Sequence, residues 1–285
     1  SNSNIFNTGF NPDMNITTRT AAAPNYILSR LTGAGYLQTE LTDAEVASSG
    51  TKFWDKGNNL IDLATNWWGQ NDVVSWSWKR APSYFDVVAY TGTGSATTVS
   101  HNLGVAPEMM WIKRRSAAEN WAVYHSALGN NKVILLQSSG AAYSDSAFNN
   151  TTPTNSVFSV SNATETNASG HTYIAYLFAT VAGVSKVGSY TGSNSSAVTV
   201  DCGFSNGARF VLIKSVDGSG NWKIWDSVRG INSSADEPYL KLNNTDAEVT
   251  NSNNIDPHSS GFTVTQQGNS PISQNGETYI FYAIA

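Results

Sequence analysis

The sequence predicts an all-β protein built as three tandem small β-sandwich or jelly-roll-like domains with very little helix. Three observations carry that prediction. The same blocks of sequence return at a spacing of about 100 residues, the size of one small domain and too long for a solenoid unit. Within each copy, short apolar or alternating runs of strand length are separated by Gly, Asn and Ser. Charged residues make up only 13% of the chain, while aromatic residues reach 11% and must be buried somewhere.

The repeat is read from particular residues. Tyr36-Leu37 followed by Thr42-Asp43-Ala44-Glu45-Val46 returns as Tyr239-Leu240 followed by Thr245-Asp246-Ala247-Glu248-Val249. Tyr90-Thr91-Gly92 returns as Tyr190-Thr191-Gly192, and Asn120-Trp121 returns as Asn221-Trp222. Thr172-Tyr173-Ile174 returns as Thr278-Tyr279-Ile280. These matches divide the chain into domains at 1–81, 82–182 and 183–285. Each would be marginal if isolated, so packing between neighbours or between chains is expected to help.

The third copy shows the elements most clearly. Val187 to Tyr190 is a strand, and Ala197 to Val200 alternates apolar and polar residues. Phe210 to Lys214 is a fully apolar run of strand length ending in lysine. Asp217-Gly218 then marks a hairpin turn, and Trp222 to Trp225 is the returning strand, with Trp222 and Ile224 on one face and Lys223 and Trp225 on the other. Tyr239 to Leu242, Phe262 to Thr265 and Tyr279 to Ala285 complete a sandwich-like set.

The second copy follows the same order through Met109 to Lys113, Trp121 to Tyr124, Val133 to Gln137, Val157 to Val160 and Tyr173 to Phe178. The first copy is the most divergent. It has little room for the opening strand that the others place at Asp86 to Tyr90 and Lys186 to Tyr190, and it closes with Val73 to Trp78, where Trp76 and Trp78 are expected in or near the core. The missing opening strand and the absence of an initiator Met lead us to expect a processed part of a longer polypeptide. One short helical turn is expected at Thr42 to Val46, capped by Thr42 and closed by Glu45 as a capping box.

Composition bounds the function. The net charge is −5 and there is no basic block, so nucleic-acid binding is not expected. Lys113-Arg114-Arg115 ends an apolar run and reads as a strand end or turn. Cys202 is the single cysteine, which rules out an intramolecular disulfide and fits a buried small apolar position. No 18-residue apolar run is present, so membrane insertion is not expected.

Several of these segments together resemble a tandem repeat found in structural, tail-fibre-like proteins of marine bacteriophages. They are Phe10-Asn11-Pro12-Asp13, Ile112-Lys113-Arg114 and Ile213-Lys214, Trp225-Asp226-Ser227-Val228-Arg229-Gly230, Thr245-Asp246-Ala247-Glu248-Val249 and the Tyr173-Ile174 closing strand. The resemblance covers essentially the whole chain. It implies a virion surface component with a lectin-like sandwich fold. It assigns no catalytic or binding residue.

The residues themselves offer little chemistry. The best carboxylates are Asp43 with Glu45 and Asp246 with Glu248, but the second copy does not keep them, and capping a helical turn accounts for them without catalysis. His101, His125, His171 and His258 show no ligand spacing and read as surface residues. No catalytic residue, metal ligand or cofactor is therefore assigned. The distinctive feature is Trp67-Trp68, which stands in the loop before the closing strand where the other copies carry Asn167-Ala168 and Ser273-Gln274. With Trp54 these tryptophans are the interface or glycan-contact candidates, because indole faces bury large area and stack on sugars.

The leading expectation is thus a non-enzymatic virion protein, a tail-fibre, spike or adhesin segment involved in host-surface attachment. A capsid decoration protein or head fibre is the alternative, and a glycan depolymerase stands further back. Expected partners are other virion proteins, copies of itself in a homotrimer by analogy with fibres, and a host cell-surface glycan.

Overall fold

The computed structural model describes residues 5–47, 60–62, 72–232, 236–265 and 272–285. The first repeat contributes β1 (Ile5–Asn7), β2 (Met14–Arg19), β3 (Tyr26–Ser29), β4 (Tyr36–Gln38), β5 (Leu60–Asp62) and β6 (Val73–Trp78). The second contributes β7 (Phe85–Thr91), β8 (Thr97–Ser100), β9 (Met109–Arg114), β10 (Trp121–His125), β11 (Lys132–Leu135), β12 (Tyr143–Ser144), β13 (Val157–Val160) and β14 (Thr172–Phe178). The third contributes β15 (Ser185–Thr191), β16 (Val198–Asp201), β17 (Phe210–Ser215), β18 (Lys223–Asp226), β19 (Leu240–Lys241), β20 (Ile255–His258), β21 (Gly261–Val264) and β22 (Thr278–Ile284). Among the described residues the only helices are one turn at Thr164–Asn167 and a 3-10 turn at Ser126–Leu128. No described helix is long and apolar enough to cross a membrane.

The fold is all-β and every strand pairing is antiparallel. In the second repeat a sheet ordered β12-β11-β10-β9-β14-β7 packs on the pair β13-β8. In the third, a sheet ordered β15-β22-β17-β18-β19 packs on β16-β21-β20. The first repeat keeps a sheet ordered β4-β3-β2-β6 and the pair β1-β5. The turn at Asp217-Gly218 does join two paired strands, β17 and β18.

Each large sheet is buried on both faces. In β9, Met110 and Ile112 point into the sandwich core of their own repeat, while Met109 and Trp111 point the other way. The same split places Val211 and Ile213 in the sandwich core and Phe210 and Leu212 outside it. A strand covered on both sides reads as an unbroken apolar run, which is why these two segments do not alternate. Their second faces meet in one central cluster drawn from all three repeats, with Met14, Ile16, Ile27 and Trp78 from the first.

Hydrogen bonds close this arrangement into a ring. Trp121 Nε1 donates to the Gln38 carbonyl at 3.0 Å, and Trp222 Nε1 donates to the Leu135 carbonyl at 3.0 Å. Asn25 stands at the equivalent register position in the first repeat and donates through Nδ2 to the Lys241 carbonyl at 3.1 Å. The accepting residues Gln38, Leu135 and Lys241 also share one register position. The second repeat therefore holds the first, the third holds the second, and the first holds the third. Backbone contacts repeat the cycle: Glu45 N to Arg115 O at 2.8 Å, Ala142 N to Val216 O at 2.9 Å, and Glu248 N to Thr20 O at 2.8 Å.

Two lysines reinforce the seams. Lys113 Nζ donates to the carbonyls of Thr42 and Arg114, both at 3.0 Å. Lys214 Nζ donates to Ser139 O at 3.2 Å, Gly140 O at 2.8 Å and Ser215 O at 2.7 Å. Both side chains are fully buried, and burial pulls each ammonium down to about 8. The carbonyl oxygens around them favour the charged form.

Two expectations need correction. Thr42 to Val46 is not a helical turn: it is an extended arm whose Val46 bridges Tyr36. The pattern Thr-x-x-Glu can cap a helix, but these backbone groups find partners in the next repeat instead. Glu119 N donates to Thr42 O at 2.7 Å, and Arg115 Nη2 donates to Glu45 Oε1 at 3.1 Å. Nor do the histidines form a surface set. His125 is 0% and His101 6% exposed, and His171 and His258 are half-buried. Cys202 is buried in the third sandwich core, and Trp78 lies in the central cluster.

Candidate binding groove between the first and third repeats

The ring is uneven at one place. β14 lies between β9 and β7, and β22 lies between β17 and β15. Their counterpart β6 pairs with β2 and forms the end of its sheet among the described residues. Beside it a groove of about 520 Å³ opens toward the third repeat. One wall is Val73 to Trp76; the other comprises Phe210, Asp226 to Arg229 and Ile284. Trp76 and Ile284 are half-buried there, and Val228 is 89% exposed.

The wall on the third repeat is shaped by the motif Trp225-Asp226-Ser227-Val228-Arg229-Gly230. Asp226 Oδ1 accepts from the backbone N of Val228 and of Arg229, both at 3.0 Å, an Asx-type turn. Gly230 ends the turn at φ 129, a backbone state that favours glycine. The turn folds Arg229 back onto Asp226, with Nε to Oδ2 at 2.7 Å. Arg229 Nη1 reaches Glu248 Oε1 at 2.8 Å, and Nη2 reaches the Ile224 carbonyl at 3.1 Å.

Trp76 joins this network from the opposite wall. Its Nε1 donates to Asp226 Oδ2 at 3.1 Å, and the Arg229 guanidinium stands 5.5 Å from its ring centroid. Its ring also meets Phe210 edge-on, with centroids 6.2 Å apart. Asp226 and Arg229 are therefore committed to one another, while the exposed Arg209 also lines the groove. What the groove presents outward is mainly Val73, Val74, Val228, Ile284 and one indole face, a surface suited to holding an apolar guest.

In the second repeat His125 takes the place of Asp226. Its Nδ1 accepts from Ala127 N at 3.2 Å, which fixes the neutral tautomer with the proton on Nε2. Burial pushes its pKa down from 6.5 to about 4. The folded state then binds fewer protons than the unfolded chain once the pH drops below the unfolded value. Stability from this site is complete above about pH 6.5 and lost as pH falls toward about 4. We expect wild-type protein to lose more stability across that window than His125→Asn, whose amide oxygen can still accept from Ala127 N. Urea unfolding at several pH values checks this, and parallel curves for the two proteins would refute it.

The sequence candidates fall elsewhere. Trp54, Trp67 and Trp68 lie outside the described residues. Glu45 pairs with Arg115, Glu248 with Arg229, and Asp246 with Lys241 at 2.6 Å, so these carboxylates face cations rather than one another. Among the described residues, no group of three or more His, Cys, Asp or Glu is placed to hold a metal ion. Trp76 and Arg229 were not singled out as site residues in the sequence.

A family model described as a domain of unknown function (DUF7483) matches residues 1–285. Comparison with curated proteins gave no match. Comparison with solved structures gave none either.

Proposed function

We propose that this chain, which belongs to the DUF7483 family, is a non-enzymatic virion structural protein: a tail-fibre, spike or adhesin segment that works in host-surface attachment. The observation that carries this reading is the ring. Three copies of one module are locked around a shared core by side-chain and backbone bonds that pass from each repeat to the next. Such a block is a rigid spacer that presents its loops outward, where recognition usually resides. The low charge and the likeness of its repeat motifs to bacteriophage surface proteins support the same reading.

The partners proposed are those that this geometry leaves room for. Assembly with other virion proteins or with copies of itself, up to the homotrimer that fibre analogy implies, would use the outer edges of the sheets. The inner faces are already taken up within one chain. Trp54, Trp67 and Trp68 are the candidates for an interface or for host glycan contact.

Antibodies against the purified chain, applied to intact particles with gold labelling, test the reading together with adsorption assays. Label at the tail, with slower adsorption when host cells are first saturated with the protein, supports it. Label on the head moves the protein to the decoration or head-fibre class. Unlabelled particles and unchanged adsorption overturn the proposal.

A further inference from the structure

We propose that the third repeat holds a calcium ion between the carboxylates of Glu237 and Asp256 and the amide oxygen of Asn253. The inference rests on buried oxygen atoms that no donor reaches, and it is independent of the proposed role in attachment.

Glu237 is 0% exposed, yet neither its Oε1 nor its Oε2 accepts a hydrogen bond. Asp256 Oδ1 and Asn253 Oδ1 are enclosed and unpartnered in the same way. Acceptor oxygens withdrawn from water are normally met by a donor, an ordered water or a metal ion. Among the described residues, no ion pair involves Glu237 or Asp256. Burial, and after it the like charge of Asp256, raise the Glu237 carboxyl to about 7. The backbone N–H groups of Ile255, Glu237 and Asn254 lie near that carboxyl and favour its charged form, but they stand outside hydrogen-bond geometry.

The backbone brings these oxygens together. Glu237 N donates to Ser252 O at 3.1 Å, which lays the residue against the segment leading into β20. Asn253 O accepts from Thr265 Oγ1 at 2.7 Å, and Asn254 O accepts from Thr265 N at 2.9 Å. Asp256 stands opposite Thr263 in the ladder between β20 and β21. The main chain is therefore pinned on both sides of Asn253, and its carbonyls are already in use. What this stretch offers a ligand is side-chain oxygen.

The donor set selects the ion. Two carboxylates and an amide, without thiolate or imidazole, suit a hard divalent cation. The nearest imidazole in the chain, that of His258, is engaged through Nδ1 with Ser260 Oγ at 3.1 Å. Calcium accepts a carboxylate through both oxygens and tolerates irregular geometry, with water completing its shell. Magnesium demands a near-ideal octahedron and gives up its waters reluctantly. The ion would also tie the segment before β19 to β20.

The second repeat shows that the arrangement is particular to the third. Met109 pairs with His125 as Phe210 pairs with Asp226, and Val123 pairs with Ile134 as Ile224 pairs with Leu240. Glu237 therefore corresponds to Asn131, which is exposed. The smaller sheet of the second repeat is the pair β13-β8, whereas that of the third adds β20. The added strand carries Asp256 to the buried Glu237.

The test uses the intact chain, freed of metal with a chelator and held at about pH 8, above the Glu237 pKa, because ligands must be deprotonated to bind. Calcium chloride is titrated in by calorimetry and by thermal melting. We expect one saturable site with a Kd between about 0.1 and 1 mM, and a melting temperature raised by about 2 to 5 °C at about 10 mM calcium. Glu237→Gln and Asp256→Asn keep the side-chain shapes, and each should weaken binding about tenfold or more. Glu237→Gln should melt no lower than the metal-free wild type, since it removes a buried charge, so its lost response is not lost fold. If that variant does not fold, Asp256→Asn carries the comparison. Magnesium at the same concentrations should leave the melting curve in place. Absence of heat and of a melting shift up to about 10 mM calcium overturns the proposal and leaves Glu237 a buried neutral acid. Binding that both variants retain, or an equal response to magnesium, overturns it as well.

Discussion

Replacing Trp222 by alanine should cost about 4 kcal/mol and bring down all three repeats in a single transition. The indole is 1% exposed and lies in the central cluster rather than in the sandwich core of its own repeat. Its removal leaves a cavity where the second and third repeats meet. It also leaves the Leu135 carbonyl without the indole N–H that reaches it at 3.0 Å. Both losses fall on a surface shared around the ring, so the damage does not stay in the third repeat. Urea unfolding followed separately by tryptophan fluorescence and far-ultraviolet circular dichroism measures this. Coincident curves with a lower midpoint are expected. Two separated transitions, with one at the wild-type midpoint, would show that the repeats stand independently and that the central cluster contributes little.

The fold class was legible in the sequence because strand-length runs and turn residues are local signals. Asp217-Gly218 between two apolar runs needs no tertiary information to be read as a hairpin. The ring was present in the same residues but harder to see. Met109 to Lys113 and Phe210 to Lys214 are apolar on both faces, and a sandwich facing solvent needs only one such face. The second face was the mark of a partner surface, and nothing local says that the partner is the neighbouring repeat. Thr42 to Val46 failed for a related reason. Its capping pattern is a local motif, yet its Glu45 N–H donates to the Arg115 carbonyl and its Thr42 carbonyl accepts from Glu119 N, both far along the chain. The groove was not legible, because Trp76 and Arg229 come from different repeats and only the packing brings them together. Asp226 and Arg229 were quoted as a motif without a role, because their work is to shape a turn that meets Trp76 from another repeat.

Lys214→Met is expected to destabilise the protein by about 3 kcal/mol, whereas Lys223→Met should stabilise it by about 1 to 2 kcal/mol. Both lysines are buried, by 0% and 3% exposure, and both have their pKa lowered by burial, to about 8 and about 7. Their surroundings differ. Lys214 points its ammonium at three carbonyl oxygens, two of them in the preceding repeat. A thioether there removes all three hydrogen bonds and with them a seam contact, although Ser139 O still accepts from Gly220 N at 2.8 Å. Lys223 points to the other side of its sheet, where its Nζ has no hydrogen-bond partner, stands 4.9 Å from the Tyr239 ring centroid and feels the repulsion of Lys241. Methionine keeps the length of the chain and the ring contact and drops the desolvated charge. The sign for Lys223 also fixes the pH trend. Its folded pKa is depressed, so the unfolded chain holds the proton more tightly and wild-type stability rises with pH from about 7 upward. The advantage of Lys223→Met should accordingly shrink as pH is raised toward the ordinary lysine range. Paired urea titrations at neutral and mildly alkaline pH decide the matter. Equal losses for both variants would mean that the two buried ammonium groups are interchangeable, and that the carbonyl cradle at the seam contributes nothing specific.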